Sequence, residues 1–251
     1  MSMASIGATV TPSEGFRVGN VLSRAIGLLS RHVVLFVLVT AGAQLPGLVL
    51  AFFTMGAPVR PGSTAFGTAG LVGIFVGLFL VPITQTMVYH AAFQDMLGRP
   101  VRVGDSLALA LRRFFPILGA LLCMGFLIML GFVALVVPGI IAATMFAVTV
   151  PACVVERLGP FRSIGRSRHL TKGHRWRILG IGLLVLVASI VVAGVAAAFG
   201  FGLGAAGGAL IRFVLQSVLG AFTSVVGVVM YHDLRVAREG LDTDRIAAVF
   251  D

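Results

Sequence analysis

The chain is 251 residues long, 58% of them hydrophobic and 11% charged, with a mean hydropathy of +1.06. A water-soluble protein keeps about a quarter of its residues charged, so this composition leaves too little polar surface to cover a core and excludes a soluble enzyme or a secreted domain. Both cysteines, Cys123 and Cys153, stand inside apolar runs, which excludes a disulfide framework and a cysteine metal site, and the net charge of +10 has to be read from where the cations stand.

In chain order, residues 1–15 lack the apolar core of a signal peptide and read as a disordered tail, which makes the first span an uncleaved insertion signal. Phe16, Val18, Val21, Leu22, Ala25, Ile26 and Leu29 then recur at helical spacing, with Arg17, Asn20, Arg24 and Arg31 on other faces and Ser13 as a candidate cap. This is an amphipathic lead-in helix. Beyond it, five stretches carry no charge: 28 residues over 32–59, 34 over 61–94, 42 over 114–155, 34 over 178–211 and 20 over 213–232. At about 1.5 Å per residue the longest would extend about 63 Å, twice the ~30 Å hydrocarbon core, so it must fold back, and Pro138 with Gly139 marks the expected turn. A second reversal is expected in the glycine-rich segment 200–208. Six spans follow, over 33–55, 69–90, 115–137, 140–155, 178–199 and 210–230, the fourth kinked at Pro151.

Two further amphipathic helices are expected, over 103–114 before the third span and over 160–172 before the fifth, the latter stopped at Gly173. Met87, Val88, Tyr89 and His90 at the end of the second span are echoed by Val229, Met230, Tyr231 and His232 at the end of the sixth, with Gly98 and Gly240 each eight residues past the histidine. The organisation predicted is an all-α integral membrane protein of six helices arranged as three hairpins, each preceded by a cytoplasmic amphipathic helix. It forms one domain over 16–240 between the tails 1–15 and 241–251.

Orientation comes from the cations. The segments before span 1, between spans 2 and 3, between spans 4 and 5 and after span 6 hold seventeen of them, whereas the other side holds Arg60 and Arg212. The positive-inside bias therefore predicts both termini in the cytoplasm, as in a bacterial inner membrane, and accounts for the basic charge without nucleic acid. Arg212, near the outer end of the last span, is expected to snorkel outward.

Pro138, Gly139 and Pro151, followed by Glu156, Gly159, Pro160, Ser163, Ser167, Leu170, Thr171, Lys172, Gly173, Trp176 and Arg177, form the most specific text in the chain. This segment resembles the membrane domain fused to some bacterial glycerophosphoryl diester phosphodiesterases, which also stands alone as a membrane protein. The ending Tyr231, His232, Asp233, Leu234, Arg235, Glu239 and Gly240 is similar to that family's close. The resemblance implies a six-span fold. In the fused members a separate soluble barrel hydrolyses the diester; such a barrel needs about 250 residues of its own, so no enzymatic activity is expected from this chain.

The loop between spans 4 and 5 gathers Arg157, Arg162, Arg166, Arg168, Lys172, Arg175 and Arg177. Arginine's planar fork suits phosphate oxygens, and Arg162 and Arg166, one turn apart, are expected to face the same way, so anionic lipid headgroups are the candidate partners. The alternative is that these cations set topology and snorkel. Trp176 reads as an interfacial belt residue. Inside the spans, Gln44 near Pro46, Gln85 near Pro82, and Gln216 could line a polar path, as in a small permease, or tie helices together by hydrogen bonds. His90, Glu156, His232 and Asp233 all end spans on the cytoplasmic side, where a histidine after a tyrosine more commonly anchors at the interface than catalyses or binds metal. No catalytic or metal-ligating residue and no cofactor is therefore assigned; besides lipid, a second copy of the chain or another membrane protein is a candidate partner.

Overall fold

The computed structural model describes residues 18–54 and 64–239. The predicted tails 1–15 and 241–251, the cap Ser13, the first lead-in residues Phe16 and Arg17, the cation Arg60 and Gly240 lie outside the described residues. What is described is helical, with no strand: α1 (Val18–Arg31), α2 (Val33–Thr54), α3 (Thr64–Met96), α4 (Val103–Arg112), α5 (Phe114–Ala134), α6 (Val136–Phe146), α7 (Thr149–Val155), α8 (Pro160–Thr171) and α9 (Arg175–Glu239). Among the described residues, five stretches are long and apolar enough to cross a membrane: Val33–Phe52, Gly70–Met96, Phe114–Ala134, Val136–Val155 and Arg175–Glu239.

The last of these is 65 residues long and would be far too long for one crossing. It is broken at Gly204, whose φ of 75° and ψ of 174° are open to glycine and to almost nothing else. The chain reverses there: a Cβ placed on Gly208 would stand 2.7 Å from the Cα of Gly200, so the two arms touch backbone to backbone. The reversal expected across 200–208 is therefore a single-residue break with helix on both sides.

Two expected breaks sit elsewhere. The turn between α5 and α6 is made by Leu135, in extended conformation (φ −170°, ψ 159°), and not by Pro138 and Gly139, which belong to the first turn of α6. A proline fits there because the first turn leaves its N–H groups without helical partners. Gly139 serves the crossing instead, since a Cβ on it would overlap the Phe132 ring of α5. The fourth span is likewise not one helix kinked at Pro151. It divides at Ala147 and Val148 into α6 and α7, and Pro151 occupies the first turn of α7. Pro151 cannot donate to the carbonyl four residues upstream and crowds it, so the helix is interrupted one turn before the proline.

All three amphipathic helices form, and each turns its apolar or small side inward: Val21, Ala25 and Leu28 on α1, Ser106 and Ala110 on α4, and Ser163, Ser167, Leu170 and Thr171 on α8. Helix α1 packs on α9, α4 on α3, and α8 on α5, α6, α7 and α9. The largest fully buried side chains, among them Tyr231, Phe36, Ile117, Leu170 and Leu234, gather where these helices meet the span ends. Six of the seven residues of α7 are buried, so α7 is the most enclosed of the helices. Elsewhere the spans present Leu, Val, Ile and Phe outward, as lipid-facing helices do.

Candidate functional site

The cation-rich end is held together by a chain of ion pairs built on Glu156. Helix α7 ends at this residue, and the chain turns through Arg157, with a positive φ of 53°, into α8, whose first residue is Pro160. Arg166, two turns along α8, donates from Nε to both carboxylate oxygens of Glu156, at 2.7 and 2.9 Å. Its Nη2 pairs with Glu239 at the end of α9, which also accepts from Arg235 Nε at 3.0 Å. The Tyr231 hydroxyl donates to Glu156 Oε1 at 2.6 Å. Burial opposes the charge on Arg166, but its bonds to Glu156 and Glu239 outweigh that and raise its pKa further.

Helix α8 is seated by its hydroxyl side chains. The break between α6 and α7 leaves carbonyls at the end of α6 short of helical donors, and the Met145 carbonyl accepts instead from Ser167 at 2.8 Å and Thr171 at 3.3 Å. Arg238 Nη2 donates to the Lys172 carbonyl at 2.6 Å, closing α9 over the end of α8. Other carboxylates at this end are also engaged: Asp233 accepts from Arg24 of α1 at 2.8 Å, and Asp95 from His32 at 3.1 Å.

Of the six cations singled out from sequence, Arg162, Arg168, Lys172 and Arg177 are exposed, Arg175 is half-buried with its Nε lacking a partner among the described residues, and Arg166 is consumed by the network. Arg162 and Arg166 therefore do not act as a pair, because two carboxylates draw the second guanidinium inward. Beside the exposed cations stand two exposed aromatics, Phe161 at 80% and Trp176 at 85%. Of Glu156, His90, His232 and Asp233, only the last two meet, His232 Nδ1 lying 3.4 Å from Asp233 Oδ1, which also accepts from Arg24; Glu156 belongs to Arg166 and Tyr231, and His90 lies 2.9 Å from the Ser106 hydroxyl and 3.2 Å from Gln94. Sequence reasoning passed over Glu239, Arg235 and Tyr231 as partners, although their spacing of four puts all three on one stripe of a helix.

A second feature lies toward the opposite end. A cavity of about 1050 Å³ opens between α2, α3 and both arms of α9, lined by Gln44, Pro46, Gly73, Ala196, Arg212 and Gln216, among others. It unites two of the three glutamines predicted for the membrane interior. Gln85 is not in its lining, and its buried Oε1 has no partner among the described residues. Below the cavity Thr40 donates to the Ser217 carbonyl at 2.8 Å, pinning α2 to α9. Arg212, expected to snorkel outward, is exposed and also forms part of the lining.

No curated protein and no solved structure matches the chain. Residues 16–234 match the model of a family described as a domain of unknown function, DUF7847. That match takes in every helix from α1 through most of α9, so the chain belongs to the DUF7847 family.

Proposed function

We propose that this protein is a non-enzymatic six-span domain of a bacterial inner membrane, with both termini cytoplasmic, that gathers and organises anionic phospholipid at its cytoplasmic face. The two arms of α9 supply the fifth and sixth spans, and the pairs α2 with α3, α5 with α6 and α7, and the two α9 arms are the three hairpins. The carrying observation is the division of labour among charges at the cation-rich end. Carboxylates Asp95, Glu156, Asp233 and Glu239 are paired within the protein, while Arg162, Arg168 and Lys172 remain exposed beside Phe161 and Trp176. Cations near the surface of an anionic leaflet contribute about 1 kcal/mol each, and aromatics at headgroup level fix the depth of the helix that carries them.

The test is headgroup-resolved analysis of lipid retained by the full chain in nanodiscs of mixed phosphatidylglycerol and phosphatidylcholine. Enrichment of phosphatidylglycerol should fall several-fold when Arg162, Arg168 and Lys172 are all changed to Gln, with insertion unchanged. Equal enrichment in the variant would remove these cations from the reading, and tags found on the periplasmic side would invert the topology on which it rests. The rival reading, a small permease, draws on the cavity at Gln44 and Gln216. It predicts solute flux in proteoliposomes that disappears with Gln216→Ala.

A further inference from the structure

The lipid reading makes no use of the cation in the cavity. Arg212 stands nineteen residues before Tyr231 on the same helical arm, about 28 Å away at about 1.5 Å per residue. The described carboxylates Asp95, Glu156, Asp233 and Glu239 pair with cations at the Tyr231 end, and Asp105 lies on α4. Among the described residues none forms an ion pair with Arg212. Arg212 is exposed along the cavity lining, so an anion can reach its guanidinium, and a cation within a bilayer span is stabilised by such a partner.

Its surroundings define what would neutralise it. Gln44 and Gln216, in the same lining, add amide donors to the five N–H groups of the guanidinium, a set suited to an acceptor-only anion such as a phosphate or carboxylate. Apart from these groups the walls are alanine, glycine, valine, leucine, proline and phenylalanine. The volume, about 1050 Å³, reaches the top of the ~300–1,000 Å³ range of ligand pockets and far exceeds what a bare anion fills. One charged corner in a large apolar chamber fits a molecule with one charged end. We infer that this cavity binds an anionic amphiphile, its acidic head on Arg212 with Gln44 and Gln216 and its apolar tail along the alanine and glycine walls. The site is independent of the cytoplasmic cations and lies in the opposite half of the bundle.

The full chain, purified in a nonionic detergent, is titrated with dodecyl phosphate, dodecanol and inorganic phosphate, and bound ligand is read by native mass spectrometry. Dodecyl phosphate should bind saturably and dodecanol much more weakly. Arg212→Gln should weaken dodecyl phosphate about tenfold or more, the loss expected of a charged hydrogen bond. Ala209→Phe, which keeps the cation and fills the chamber, should do the same, and it carries the test if Arg212→Gln does not fold. The triple change of Arg162, Arg168 and Lys172 to Gln should leave this binding intact even if it abolishes phosphatidylglycerol enrichment. Equal affinity for dodecanol would overturn the role of Arg212. Inorganic phosphate binding as tightly as dodecyl phosphate would assign the site to a water-soluble anion and overturn the amphiphile. Binding lost in the triple variant but kept in both cavity variants would move it to the other face.

Discussion

The Tyr231 hydroxyl meets Glu156 across 75 positions of sequence, donating to Oε1 at 2.6 Å while Arg166 binds the same carboxylate through Nε. One carboxylate thus joins the end of α7, the body of α8 and the last arm of α9. Tyr231 is fully buried, and the Glu156 and Arg166 side chains are only 18% and 21% exposed, so solvent screens the pair weakly. Tyr231→Phe, which removes one hydrogen bond to a charged acceptor, should cost about 1.5–3 kcal/mol. Glu156→Ala should cost more, about 3 kcal/mol, because Arg166 then keeps only Glu239. Thermal unfolding of detergent-solubilised variants gives the order, and a Tyr231→Phe melting point equal to the parent's would show the hydroxyl contributes nothing.

The seating of α8 on the broken fourth span predicts non-additive losses. Ser167→Ala leaves Thr171 to serve the Met145 carbonyl, so its effect should be small, whereas adding Thr171→Val leaves that acceptor unsatisfied at a further cost of about 1–3 kcal/mol. Simple additivity in a double-mutant cycle would refute the shared acceptor.

At the far end, Gly204→Ala must adopt a backbone conformation that side chains avoid, a strain of about 1–3 kcal/mol. Gly208→Ala drives a methyl group into the Gly200 backbone and should separate the two arms of α9. Protease accessibility of the 200–208 turn in intact vesicles should rise in both variants and stay at the parent level in Gly202→Ala, where a Cβ meets nothing within 4 Å.

Acid should loosen the junction of α8 and α9. Burial, then the neighbouring Arg177 and Arg238, lower the His174 pKa below its ordinary 6.5, against a smaller opposing effect from a hydrogen bond with the Lys172 backbone. The unfolded chain therefore takes up the proton more readily than the folded one. The stability associated with neutral His174 is complete above pH 6.5 and is lost as the pH falls through the lower folded value. The melting temperature should drop between about pH 7 and pH 5, and His174→Gln should flatten that slope; an unaltered slope would clear His174 of the effect.

Much of the fold was legible because its determinants act within one segment. The recurrence of Val18, Val21, Leu22, Ala25 and Leu29 identifies α1 without reference to anything else in the chain, although Leu28 completes its buried face with Val21 and Ala25, and Pro160 with Gly173 brackets α8 as a start and a stop do. The break positions were less legible. Pro138 and Pro151 both carry the turn signal, yet a proline is tolerated in a first helical turn, so each marks the helix that begins just before it and not the break itself.

Charge and hydropathy, summed over windows of twenty residues, were enough by themselves to establish an apolar helical bundle with its cations gathered at the loops, because transfer into oil depends on composition and length alone. Which cation is spent and which remains available is a different kind of question. Arg166 and Arg162 are indistinguishable along the chain, and the packing that brings Glu156 and Glu239 onto Arg166 separates them. The same holds for Gln44, Arg212 and Gln216, which share a cavity, while Gln85 lies outside its lining. Ion pairs and cavities are set by distances between segments far apart in sequence, and those distances exist only once the helices have packed.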